Sequence, residues 1–237
     1  MTGKLNRRFF AAWLAFVCGA LALSAQVPAP GPEPHLVLVG DSTVTDAAGW
    51  GGAFATLLRP AVRCTNTARG GASTKSFLDG GYWAQALALK PTQVVIQFGH
   101  NDMPGKGPAR ATDAATTYRE NLVRYIAEAR AAGAQPILVS SVTRRNFKDG
   151  QLIDLLADYA AAARIVAAQQ RVPFVDLHAR SIAAVERLGP SGAEELGPMK
   201  DGKRDTTHLS SAGAEWAARL VAEELRSVAP ELARLLK

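Results

Sequence analysis

Short apolar runs alternate with long alanine-rich stretches along this chain. "HLVLV" from His35, "VRCTN", "QVVIQFG", "QPILVSSV" and "VPFVDL" read as strands. "YWAQALALK", "DAATTYRENLVRYIAEARAAG", "IDLLADYAAAARIVAAQQR" and "SAGAEWAARLVAEELRSV" read as helices. The strands are nearly continuous in apolar character, which is the pattern of a parallel sheet covered on both faces. The helix from Asp113 carries its own punctuation. Thr112 or Asp113 can cap its exposed amides, Leu122, Tyr125, Ile126 and Ala129 share one face, and Gly133 followed by Pro136 stops it. The next long helix should end at Val172-Pro173. The expected fold is α/β, one domain over residues 35–237, with chemistry in the loops beyond the carboxyl ends of the strands.

The N-terminus follows a different rule. Lys4, Arg7 and Arg8 precede the uncharged "FFAAWLAFVCGALALSA", which ends in small residues, and "QVPAPGPEP" follows. This predicts a signal peptide over 1–25 and a Pro/Gly-rich tether over 26–34. The expected destination is secreted or periplasmic, by the general or the twin-arginine route, without stable membrane association after cleavage. Loss of the leader lowers the formal charge from +6 to +3, because it holds those three cations and no acid. No basic run with interleaved aromatics points to nucleic acid. Cys18 lies in the leader, so Cys64 has no disulfide partner within the mature chain.

The strand-end loops are "GDST", "NTARGGAS", "GHNDM", "SVTRRNF" and, near the C-terminus, "KDGKRDTTHLS". Ser42 follows the first strand through Gly40, a residue that permits a tight strand-to-helix turn near a helix N-terminus. Alone, it reads equally as a helix cap. The α/β-hydrolase elbow is absent, since Val44 stands where a second glycine would be. A serine nucleophile needs a base held by an acceptor, and "DTTH" sets Asp205 and His208 three residues apart, a spacing that puts both on one face of a turn. His35 and His178 sit beside strands and read as structural. Gly71 and Asn101, with the Ser42 N–H, could donate to the oxygen of an attacked carbonyl, although each also suits an ordinary turn.

Taken together these blocks resemble the SGNH (GDSL-type) hydrolases: "GDS", the glycine of "RGGAS", the asparagine of "GHND" and "DTTH" occur in that family's order over residues 35–228. "GDST" departs from "GDSL" and leaves the serine in place. "GWGG", "NTARGGASTKSF", "SVTRRNF" and "DTTHLSSAGA" look more narrowly like the rhamnogalacturonan acetylesterase group. The resemblance implies a flavodoxin-like three-layer α/β/α sandwich with a five-stranded parallel sheet. It implies Ser42 as nucleophile, Asp205 and His208 as acid and base, and Ser42, Gly71 and Asn101 as the oxyanion hole. The implied reaction removes acetyl groups from a plant cell-wall polysaccharide, without metal or other cofactor. No phosphate-binding glycine loop and no Cys/His cluster of zinc spacing appears in the sequence.

Two alternatives remain open at this level. A lipase- or thioesterase-like enzyme would keep the triad but need a long apolar groove, whereas "GHNDMPGKGPAR" and "TRRNFKDG" are polar and basic. A carbohydrate-binding protein would keep the fold without catalysis. Arg144 and Arg145 are candidate substrate-binding residues within a wider set of basic loop positions that includes Arg69, Lys75, Lys106 and Arg110. The sequence sets no oligomeric state.

Overall fold

The computed structural model describes residues 33–237, so the expected leader and most of the tether lie outside the described residues. In chain order the elements are β1 (His35–Gly40), α1 (Gly51–Thr56), β2 (Arg63–Asn66), α2 (Thr74–Asp79), α3 (Tyr82–Ala88) and β3 (Gln93–Gln97). Then follow α4 (Thr117–Ala131), β4 (Gln135–Val139), the hairpin β5 (Phe147–Lys148) and β6 (Gln151–Leu152), α5 (Ala157–Gln170) and β7 (Phe174–Val175). The chain finishes with α6 (Leu177–Glu194), the hairpin β8 (Met199–Lys200) and β9 (Lys203–Arg204), α7 (Ser211–Val228) and α8 (Pro230–Ala233).

The main sheet has five parallel strands in the order β2-β1-β3-β4-β7. Alternation along each strand divides the core into two slabs. Leu36, Leu38, Val95, Ile137 and Val139 face α1, α7 and α8, where Trp50, Phe54, Val221 and Leu225 cover them. Val37, Val39, Val94, Ile96 and Leu138 face the other way, against Phe77, Trp83, Tyr118, Tyr125 and Val166 from α2 to α5. This is the three-layer α/β/α sandwich, and β1, β3 and β4 are buried on both faces, which explains why they lack polar alternation, while β2 at one edge is partly exposed. The buried tyrosines keep their hydroxyls paired: Tyr118 donates to Phe98 O and Tyr125 to Thr74 O, each at 2.9 Å.

The helix boundaries depart from the sequence reading in instructive ways. On α4, Leu122, Tyr125, Ile126 and Ala129 are all buried, as their spacing predicts, and Gly133 takes φ 78° just after the helix. The helix itself begins at Thr117 and not Asp113, because Asp113 Oδ1 accepts from Ala115 N and Thr116 N and closes a turn instead. Residues 153–156, expected to open the next helix, instead follow the β5–β6 hairpin into an Asp154 turn, so α5 starts at Ala157. "VPFVDL" contributes only two paired residues at the sheet edge, since Asp176 turns away to cap α6. The helix α6 was not anticipated. Gly189, at φ 67°, and Pro190 interrupt its pattern, and the helix kinks there.

Candidate active site

Ser42 stands at the carboxyl end of β1. A Cβ on Gly40 would lie 2.5 Å from Val44 Cγ2 and 2.6 Å from Gln97 O, so only glycine lets the chain turn this tightly beside β3. Val44 N closes the turn on Asp41 O at 3.1 Å. No helix follows directly, since α1 begins at Gly51. The expected helix N-terminus under the serine is therefore not what positions it.

Its support is a buried polar chain. Trp50 Nε1 donates to Gln97 Oε1 at 2.8 Å, Gln97 Nε2 donates to Thr43 Oγ1 at 2.7 Å, and Thr43 donates N–H and O–H to Asp41 Oδ1 at 2.8 and 2.7 Å. His100 Nδ1 lies 3.4 Å from Asp41 Oδ2, both residues being almost completely buried. Burial opposes ionisation of Asp41, but His100 and the Thr43 donors outweigh it and hold the carboxyl below its usual range. Burial, with Arg144 and His208 nearby, holds His100 down against the pull of Asp41.

His208 Nε2 lies 3.0 Å from Ser42 Oγ, and His208 Nδ1 lies 2.8 Å from Asp205 Oδ2. The second oxygen of Asp205 accepts the backbone N–H groups of Thr207 and His208 at 2.7 and 2.9 Å. Burial alone would raise the Asp205 pKa, but the His208 side chain and these backbone donors bring it to about 2. An ionised carboxylate fixed on Nδ1 selects the tautomer with Nε2 free to accept, the orientation a serine needs from its base.

The three groups that the sequence offers as donors to a carbonyl oxygen lie on separate loops. Gly71 takes φ 76°, and the N–H groups of Gly71 and Ser42 find no acceptor among the described residues. Asn101 is oriented by donating from Nδ2 to Ala72 O at 2.9 Å, which ties its loop to that of Gly71. Arg69 N in turn donates to Gly40 O at 3.0 Å, so the glycine loop is anchored to the strand carrying Ser42. Gly99, at φ 147°, precedes this asparagine block with Ser141 Oγ 2.3 Å from where its Cβ would be, leaving no room for a side chain.

Arg144 and Arg145 are placed differently from the substrate contacts expected of them. Arg145 is 5% exposed, and its Nη2 donates to Asp205 O at 2.8 Å and His208 O at 2.6 Å. Arg144 bonds Thr207 Oγ1 through Nη1 and His100 O through Nη2. The pair clamps the loop that holds Asp205 and His208. Nothing in "TRRNF" foretold this, because two adjacent arginines in a polar loop read as a solvated face. His35 and His178 lie outside the constellation, as their places beside strands predict: His35 Nε2 meets Thr65 Oγ1 at 3.0 Å and His178 Nε2 meets Asp154 at 3.0 Å. The Thr43–Gln97–Trp50 chain also escaped sequence reading. Its only trace there is an uncharged but polar Gln97 ending an apolar strand.

The model of the GDSL-like Lipase/Acylhydrolase family matches residues 38–216. The rhamnogalacturonan acetylesterase RhgT of Bacillus subtilis (strain 168) is 37% identical over 214 residues, covering 82% of this chain and 90% of that protein. A probable rhamnogalacturonan acetylesterase, YesY, of the same organism is 33% identical over 202 residues, covering 82% and 93%. Among solved structures, the acetylxylan esterase Axe2 of Geobacillus stearothermophilus superposes with a TM-score of 0.65 at 19% identity, over 81% of this chain and 94% of that one. With its five-stranded parallel sheet and the serine, glycine, asparagine and histidine blocks in order along the matched span, the chain belongs to the GDSL-like lipase/acylhydrolase (SGNH hydrolase) family and is an ester hydrolase.

Proposed function

We propose that this protein is an exported serine acetylesterase that removes acetyl groups from a plant cell-wall polysaccharide, most closely pectic rhamnogalacturonan, through an acetyl-enzyme on Ser42. The observation that carries the chemistry is the line from Ser42 Oγ to His208 Nε2 (3.0 Å) and from His208 Nδ1 to Asp205 (2.8 Å). His208 takes the hydroxyl proton as Oγ attacks the acetyl carbon, and the oxygen that gains charge is met by Ser42 N–H, Gly71 N–H and Asn101 Nδ2–H. The sugar oxygen leaves with the proton from His208. A water molecule then gives a proton to the same nitrogen and attacks the acyl carbon; as the bond to Ser42 breaks and the acetyl group leaves as acetic acid, His208 returns that proton to Ser42 Oγ. The substrate reading draws on two relatives that bear the rhamnogalacturonan acetylesterase name and on strand-end loops that carry Arg69, Lys75, Lys106 and Arg110. Export rests on the leader pattern of residues 1–25.

The test is acetate release by the mature chain from acetylated rhamnogalacturonan, acetylated xylan and a long-chain acyl ester in parallel. The reading expects the pectic polymer to give the highest kcat/KM. Preference for xylan would move the substrate to another acetylated sugar, and preference for the long acyl chain would make the enzyme lipase-like.

A further inference from the structure

Beyond Gly71 the surface opens into a hollow of about 640 Å³ bordered by Arg69, Gly71, Tyr82 and Arg110. That lies within the range of roughly 300–1,000 Å³ usual for ligand sites. A second hollow of about 430 Å³ shares Arg69 and Tyr82 with the first and continues past Thr67 to Gln85, so the two form one trough leading away from the glycine. No carboxylate lines either part.

The two arginines are held rather than loose. Arg69 is fixed at its backbone by the bond from its N–H to Gly40 O, and its guanidinium carbon lies 3.8 Å from the centroid of the Tyr82 ring. Arg110 donates Nε to Lys106 O at 3.1 Å, and its Nη1 comes within 3.6 Å of where a Gly71 Cβ would sit. Neither forms an ion pair with a carboxylate among the described residues, unlike Arg124, Arg180 and Arg204, which do. Of the other nearby cations, Lys75 is spent on Pro108 O, and Lys106 sits close enough to Arg110 that burial and the charges of Arg144 and Arg110 hold its ammonium below the usual range. Two oriented forks beside the oxyanion glycine, with no protein anion to satisfy them, fit a ligand carboxylate.

We infer that this trough is a uronate subsite. Arg69 and Arg110 take the carboxylate of a uronic acid residue at or beside the acetylated position, with Tyr82 holding the Arg69 fork flat. The inference rests on the proposed polysaccharide reading and deepens it: the enzyme would tell an acidic acetylated polymer from a neutral one by these residues, and not by Arg144 and Arg145.

The test has a kinetic and a binding arm. Arg69→Gln, Arg110→Gln and the double variant are assayed on acetylated rhamnogalacturonan and on the same polymer with its carboxyl groups chemically reduced to alcohols. Each lost charge-assisted contact is expected to cost about tenfold in kcat/KM on the native polymer, mostly through KM, and several-fold less on the reduced one. Arg69→Lys should fall between, because it keeps the charge and loses the fork. Equal losses on both polymers, or no loss on either, overturn the subsite. In the second arm, calorimetry measures unacetylated oligogalacturonate binding to Ser42→Ala with and without the two Gln substitutions. Binding that the substitutions abolish, together with no acetate release by the wild type, keeps the subsite and rejects the proposed substrate. Binding that survives them overturns the subsite whatever the wild type hydrolyses.

Discussion

Asn101 shows how much one side chain must be placed before it can act. It is 8% exposed, and its amide nitrogen donates to Ala72 O, which leaves the second amide proton without a protein acceptor among the described residues. An oxyanion donor acts mainly on charge that develops in the transition state, so Asn101→Ala should lower kcat by about 100-fold and leave KM within a few-fold, measured on a small acetyl ester. A fall in melting temperature with activity per folded molecule retained would show that the side chain only fastens two loops. At this scale the sequence was legible where chemistry demands a residue type at a loop position. Ser42, Asp205 and His208 come within hydrogen-bonding distance in series. It was illegible where the role depends on which way a side chain turns. Arg144 and Arg145 bind backbone and a neighbouring threonine because the loop carrying Asp205 folds over them, and no spacing in "TRRNF" encodes that.

At the level of elements, the loops are fastened by buried polar groups whose charge state matters. Arg145 gives two donors to the carbonyls of Asp205 and His208, and Arg145 N accepts its place by donating to Thr206 O at 2.8 Å. Charge-assisted bonds of this kind contribute roughly 1.5–3 kcal/mol each. Arg145→Ala should therefore lower the melting temperature and kcat together, and by similar factors for a small neutral ester and for polymer. Loss confined to polymer KM would restore Arg145 as a substrate contact.

Asp102 fastens the start of α2, accepting from Thr74 Oγ1 at 2.5 Å, from Thr74 N at 3.1 Å and from Thr112 Oγ1 at 3.0 Å. Burial nevertheless raises its pKa to about 7 against those donors. The folded state then holds this proton more tightly than the unfolded chain, so the contribution of Asp102 to stability is greatest below about pH 4, falls as pH rises toward 7 and levels off above it. Denaturant titrations across that range should show the slope in the wild type and a flatter profile in Asp102→Asn; the same slope in both would remove Asp102 as its source. Helix boundaries were the least legible feature here, because Asp113 and Asp154 spend on local turns the acceptors that sequence rules assign to helix caps.

Over the whole molecule, the pattern of apolar runs specified the central strands of the parallel sheet because both their faces are buried, and such strands need no polar alternation to be recognised. The interrupted helix α6 and the two small hairpins carry no comparable signal. The same topology gathers Ser42, Gly71 and Asn101 from the ends of three neighbouring strands, while His208 arrives from the segment before α7. The central claim is that this assembly works through Ser42 as a nucleophile. Its most direct test is kcat of the Ser42→Ala variant on a small acetyl ester, with circular dichroism confirming the native fold. The account predicts a loss of about 1,000-fold or more, similar to that of His208→Ala, because the members of such a triad act as a unit. A folded Ser42→Ala protein that keeps more than about a tenth of wild-type turnover would contradict it.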